Sequence, residues 1–249
     1  MVGCVGSDAY GLQLLDGLKA DRIDCQAVRS VPGSASGVAL ITVAADGQNS
    51  IVVVAGANGC LEPEDIKAVD QVLRGAQVLV CQLEVPMQTV GYVLGRGREL
   101  NKTVILNPAP VSGPLPGQWY DAIDYLIPNE SEAWALSGVV VDSLESAELA
   151  ARQLLQLGAR KVIVTLGAQG ALFVSAQRVA HFAAPRVEAL DATAAGDTFV
   201  GGFSAALAAG MAEDDAIRFA QVAAALSVTR AGAQPSIPAL HDVQGFSAP

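Results

Sequence analysis

A chain of 249 residues with a formal net charge of −10 is long enough to bury one large core, and its acidity argues against nucleic acid as a partner. Hydrophobic residues make up 51% and aromatic residues 5%, as in buried parallel strands under close-packed helices. No apolar run is long enough to span a bilayer, no signal peptide follows Met1, and the 4 scattered cysteines read as reduced core residues of a cytoplasmic protein.

Short apolar strands alternate with amphipathic helices along the chain. The pattern predicts a strand over 2–5 and a helix over 9–20 carrying Leu12, Leu14, Leu15 and Leu18. Strands over 37–43 and 50–54 flank Ala45-Asp46-Gly47-Gln48, where Asp-Gly signals a hairpin turn. Pro63 opens a helix reaching 73, with Glu62 and Glu64 at the acid-favouring start. Segments 78–83, 103–106 and 125–127 read as parallel strands, with a helix over 90–100 between the first two. Helices over 130–136 and 144–157, a strand over 161–165 and hairpin pieces over 171–174 and 178–182 follow. Helices over 196–209 and 213–229 and a proline-rich tail complete the chain, with no internal repeat or low-complexity linker. This alternation predicts a single α/β domain, a doubly wound and mostly parallel sheet flanked by helices, with ligands at the carboxyl ends of the strands.

Several polar residues fall just past predicted strands. Asn129-Glu130-Ser131-Glu132 has the form of a capping box, with Asn129 as N-cap and Glu132 reaching back. Thr165-Leu166-Gly167-Ala168-Gln169-Gly170 is a strand ending in a glycine turn, and Cys81-Gln82-Leu83-Glu84 ends a strand in an acid. The richest segment is Leu190-Asp191-Ala192-Thr193-Ala194-Ala195-Gly196-Asp197-Thr198-Phe199. There a small-residue turn opens an apolar helix between two carboxylates. Helix N-termini hold anions through unpaired N–H groups. A phosphate-sized anion beside a proton-accepting carboxylate suits phosphoryl transfer to an alcohol. With 2 histidines and no Cys-x-x-Cys, a transition-metal site is unsupported. Ala35 stands where a nucleophile elbow needs serine, and neither a P-loop nor a dinucleotide glycine fingerprint is present.

The string from Asp191 to Phe199 resembles the signature of the ribokinase family of sugar kinases, usually Asp-Thr-Thr-Ala-Ala-Gly-Asp-Thr-Phe, and departs from it at Ala192. The resemblance covers essentially the whole chain. Asn129 to Glu132 matches the family's Asn-x-x-Glu motif, and Thr229-Arg230-Ala231-Gly232-Ala233-Gln234-Pro235-Ser236 is similar to its adenine-side loop. Gly56-Ala57-Asn58 and Leu106-Asn107-Pro108-Ala109-Pro110 also look like this family, with Asn107 near the phosphate and metal region.

The resemblance implies ATP-dependent phosphorylation of a sugar hydroxyl, D-ribose to D-ribose 5-phosphate, in the cytoplasm. A fructokinase or 2-keto-3-deoxygluconate kinase is the alternative. It makes Asp197 the general base and substrate contact, with the N–H groups of Ala194, Ala195 and Gly196 around the transferring phosphoryl group. Asn129, Thr165, Gly167, Gly170 and Gln221 become nucleotide contacts, although Gln221 also reads as an exposed polar helix residue. Glu84 becomes a sugar contact and Glu132 a holder of Mg²⁺, and Asp191, Thr193, Gly232 and Ser236 become the surroundings of K⁺. Residues 33–56 correspond to part of a β lid through which a homodimer would form, weakened because the lid is incomplete. The resemblance begins at a strand that lies well inside the family fold. A sugar-binding Asp, part of the lid and a Gly-Gly motif have no counterpart here. The expectation is therefore weak nucleotide binding and inefficient ribose phosphorylation by residues 1–249, with a non-catalytic nucleotide-binding remnant as the further alternative.

Overall fold

The computed structural model describes residues 1–43, 49–111 and 113–246. The chain divides into two compact units, Met1–Ala76 with Gln82–Arg96, and Gln77–Cys81 with Gly97–Pro249.

In the first unit, β1 (Val2–Gly6) and β2 (Ala27–Val31) pair in parallel, and α1 (Ala9–Ala20) makes the crossover. Asp8 caps α1 by accepting from the Gly11 N–H at 2.8 Å, and it also accepts from the Ser36 Oγ at 2.7 Å and the Ser36 N–H at 2.9 Å. These bonds stitch the turn after β1 to the segment that leads into β3 (Val38–Val43). β3 pairs antiparallel with β4 (Asn49–Val54), Val38 opposite Val54. The Asp46-Gly47 turn expected between them lies outside the described residues. The helix expected over 63–73 is two helices, α2 (Pro63–Ala68) and α3 (Asp70–Gly75), parted at Val69. The carboxylate of Asp70 is gripped at 2.6 and 2.9 Å by Arg96, on α4 (Met87–Glu99).

The second unit holds a six-stranded mixed sheet in sequence order: β5 (Val78–Cys81), β6 (Thr103–Leu106), β7 (Tyr125–Leu126), β8 (Lys161–Thr165), β9 (Ala171–Ser175) and β10 (Val179–Phe182). β5 to β8 are parallel, β9 runs antiparallel to β8, and β10 runs antiparallel to β9. The helices are α5 (Gly117–Tyr120), α6 (Glu130–Ser137), α7 (Leu144–Gln156), α8 (Ala195–Ala208), α9 (Glu213–Ser227) and α10 (Leu240–Gln244). Strand side chains alternate between faces. Ile105, Ile163 and Phe173 pack with Phe199, Phe203 and Ile217 of α8 and α9. Val104, Val162 and Val164 point the other way, the side on which Ala147, Ala150, Ala151 and Leu154 of α7 are buried. The result is an α/β fold with helices on both faces of the sheet. At the amino end of the sheet, the Tyr125 hydroxyl donates to Glu213 at 2.8 Å, and Lys161 and Arg178 pair with the same carboxylate. This cluster pins the start of α9. At the carboxyl end, parallel pairing brings the residues after β6 and β7 and the last residue of β8 together.

Candidate active site

Asn107 is the first residue past β6, and its Nδ2 donates to the Ile127 carbonyl at 2.9 Å. Just past β7, Asn129 forms a single parallel bridge with Thr165, the last residue of β8. Asn129 caps α6 through its Oδ1, which accepts from the Glu132 N–H at 2.9 Å. Glu132 answers, its carboxylate accepting from the Asn129 N–H at 2.9 Å and the Asn129 Nδ2 at 3.0 Å. The capping box read from the sequence is thus formed, and the same bonds fix a buried carboxylate at the cavity wall. Burial raises the Glu132 pKa, the Asn129 N–H opposes that rise, and the negative charge of Asp197 adds to it.

The facing wall is the turn into α8. Ala194 occupies the N-cap in the left-handed region, with φ 59° and ψ 15°. A methyl group cannot cap a helix, and the N–H groups of Gly196 and Asp197 find no acceptor among the described residues. The Asp197 carboxylate is exposed and takes no hydrogen bond among the described residues. Two free donors at the positive end of a helix dipole, with a free carboxylate alongside, make an anion seat next to a base.

Asn129, Glu132, Thr165, Ala194, Ala195, Gly196 and Asp197 line one cavity of about 190 Å³ together with Asn107. Ala109, Ile127, Ala192 and Val200 complete its wall, and among the described residues no lysine or arginine lines it. These four are small or apolar and carried no chemical signal in the sequence. Asn107 stands out only through the resemblance of residues 106–110 to the family.

The other candidate residues lie in flanking turns. The Asp191 Oδ1 accepts from the Thr193 N–H at 2.9 Å and its Oδ2 from the Gly232 N–H at 2.8 Å. Hydrogen bonds from Thr193 and from the Gly232 N–H hold the Asp191 carboxyl down at about 2. Ser236 is buried in the same loop, its Oγ donating to the Ala233 carbonyl at 2.7 Å. Gly167 and Gly170 bracket the tight turn after β8, both at positive φ, where the Leu166 N–H donates to the Gly170 carbonyl at 2.8 Å. Gln221 is not exposed but buried within the fold, where its Nε2 donates to the Phe182 carbonyl at 2.9 Å. Glu84 belongs to the first unit.

Comparison with known proteins bears on the whole chain. The pattern described as pfkB family carbohydrate kinase matches residues 1–240. The chain is 40% identical over 249 residues to a ribokinase of Schizosaccharomyces pombe, covering 98% of this chain and 78% of that protein. It is 37% identical over 246 residues to a deoxyribokinase of Salmonella typhi, covering 99% of this chain and 80% of that protein. The structure of Arabidopsis thaliana ribokinase complexed with ribose and ATP superposes with a TM-score of 0.93 at 33% identity, covering 99% of this chain and 81% of that one.

Proposed function

The chain belongs to the pfkB family of carbohydrate kinases, and we propose that within it the chain is an ATP-dependent pentose kinase of the cytoplasm, converting D-ribose to D-ribose 5-phosphate. The observation that carries this reading is the unengaged Asp197 carboxylate beside the unpaired N–H groups of Gly196 and Asp197 in one cavity. Asp197 takes the proton of the sugar hydroxyl, and the hydroxyl oxygen attacks the γ-phosphorus. The bond to the bridging oxygen breaks and ADP leaves. The first-turn N–H groups of α8 face the charge that spreads over the transferring group.

The donors of the cavity are hard oxygens, in Glu132, Asn107 and Asp197, which suits Mg²⁺ held largely through water. Mg²⁺ would neutralise the nucleotide phosphates, with Glu132 and, behind it, Asn129 oriented toward it. Asp191, Thr193, Gly232 and Ser236 carry carboxylate, hydroxyl and carbonyl oxygens of the kind that would hold K⁺, and Asp191 also ties the Thr193 and Gly232 N–H groups together beside the turn into α8. In the first unit, Leu40, Val52 and Val53 of the β3–β4 ribbon are each more than half exposed, which supports a homodimer formed through that ribbon.

The test is ADP formation by the purified chain with ATP and a panel of D-ribose, 2-deoxy-D-ribose, fructose and 2-keto-3-deoxygluconate. Turnover should be greatest with D-ribose. A preference for 2-deoxy-D-ribose would move the assignment toward the relative of that name. ATP binding with no sugar-dependent turnover would make the chain a nucleotide-binding remnant.

A further inference from the structure

The second unit holds another cavity, of about 380 Å³, at the amino end of the sheet. It lies among the starts of three parallel strands: Thr103 opens β6, Asp124 precedes β7 and Arg160 precedes β8. The far ends of the same strands bear on the cavity of Asp197, so a strand length of about 13 Å separates the two. A chain with 25 acidic and 15 basic residues brings three of the basic ones together here, Arg98, Lys102 and Arg160. Two carboxylates line the cavity as well. Asp124 is spent within the fold, its Oδ1 accepting from Arg160 at 2.7 Å and its Oδ2 from the Val104 N–H at 2.8 Å. Arg160 commits one nitrogen to that bond and keeps its other donors. The Arg98 guanidinium makes no hydrogen bond among the described residues, and its ion pair with Asp121 spans 3.9 Å. The Asp121 carboxylate likewise accepts no hydrogen bond among the described residues.

We propose that this cavity binds a small hydroxylated dicarboxylate, with its two carboxylates on Arg98 and Arg160 and its hydroxyl on Asp121. A guanidinium edge is planar and two-pronged, and it pairs with a carboxylate through two parallel bonds. The two forks come from different elements, Arg98 from the last turn of α4 and Arg160 from just before β8, which suits two separate anionic groups better than one. A lone phosphate would leave most of the 380 Å³ empty, and volumes above about 300 Å³ are those of ordinary small-molecule sites. Lys102 adds a third positive charge to the lining. Asp121 disfavours a ligand that is anionic throughout and rewards one with a hydroxyl to donate. The site stands apart from the kinase reading and does not depend on it.

The test is titration of the purified chain, free of nucleotide and magnesium, with malate, succinate and acetate, followed through backbone amide shifts. Malate should move the amides of Asn101, Thr103, Ala122 and Arg160 in a saturable way and leave those of Gly196 and Asp197 in place. Succinate, which lacks the hydroxyl, should bind about tenfold more weakly, and acetate, with one carboxylate, about tenfold more weakly again. Arg98→Gln and Arg160→Gln should each weaken malate by about tenfold or more, and Asp121→Ala should bring malate and succinate to the same affinity. Arg98 makes no hydrogen bond within the fold, so its variant decides the matter even if Arg160→Gln fails to fold. No saturable shift at this cavity, acetate binding as well as malate, or malate binding that survives Arg98→Gln would each overturn the proposal. So would inorganic phosphate binding more tightly than malate, the mark of a site for one compact anion. Malate that moved Gly196 and Asp197 in place of this cavity would also overturn it.

Discussion

The Asp197 carboxylate lines the cavity and takes no hydrogen bond among the described residues, so on the proposed reading it receives the sugar proton directly. Asp197→Asn keeps the shape and removes the base. Turnover should fall by about a hundredfold or more, with ATP affinity nearly unchanged. A kcat within a few-fold of wild type would remove Asp197 from that role. Asp191 has a different duty, clasping Thr193 and Gly232. Its pKa is lowered from 3.8 to about 2, so the ionised form favours the folded state. That contribution is complete above about pH 4 and is lost as the pH falls toward 2. The Tm difference between wild type and Asp191→Asn should be widest near neutrality and close across this window. A gap of constant size would show that the clasp does not depend on charge. In activity assays, exchanging K⁺ for Na⁺ at fixed ionic strength should slow the wild type and leave Asp191→Ala indifferent. Ala194, at φ 59°, occupies a conformation that costs a residue with a Cβ roughly 1–2 kcal/mol. Urea unfolding should find Ala194→Gly within about 1 kcal/mol of wild type and Ala194→Val destabilised by about 2 kcal/mol, since a branched Cβ fits that region worst.

At the scale of elements, α8 and α9 pack against each other through Gly202, where a Cβ would lie 3.3 Å from the Ala220 Cα and 3.4 Å from the Ala223 Cβ. Gly202→Val should force the helices apart and cost about 1–3 kcal/mol by chemical denaturation. An unchanged midpoint would mean that the pair has slack. Periodicity located α1 and β8 to the residue, and it placed both α8 and α9 within two residues of their ends. It missed β2, because none of Ala27 to Val31 is buried and the strand shows no regular alternation. It ran α2 and α3 together because their break at Val69 comes from no local signal. The break coincides with the tie between Asp70 and Arg96, which are far apart in sequence. The cavity was legible where chemistry and a strand end coincide, as at Asn129, Glu132 and Thr165, and where two carboxylates flank a small-residue helix start, as at Asp197. The bond of Gln221 to the Phe182 carbonyl, and the close approach of that carbonyl to Gly170, depend on strand pairing that no local pattern announces. β5 also has one strand neighbour among the described residues and no charged residue within Val78 to Cys81, and Val80 is about half exposed. Such an edge invites pairing with another chain. Val80→Lys should therefore reduce concentration-dependent scattering of residues 1–249.

Over the whole molecule the net charge of −10 opposes the arrival of a polyanion, and no lysine or arginine among the described residues lines the cavity to reverse it. On the proposed reading, recognition of phosphate falls to backbone N–H groups, whose partial charges do not extend far into solvent. Raising ionic strength with tetramethylammonium chloride should leave the affinity for nucleotide unchanged or increase it, as isothermal titration can show. A loss of affinity with salt would indicate cationic side chains at the site. No helix of the described residues is long and apolar enough to cross a membrane. The division of the chain between its two units also shapes how it can be made. A ribosome releases β5 before the last stretch of the first unit and well before β6, the partner of β5. The shorter unit is completed around a strand that belongs to the other, and that strand waits unpaired while some twenty further residues emerge. No single cut separates the two units, and a fragment starting at residue 97 would carry the whole cavity lining yet leave β6 as a raw border of its sheet.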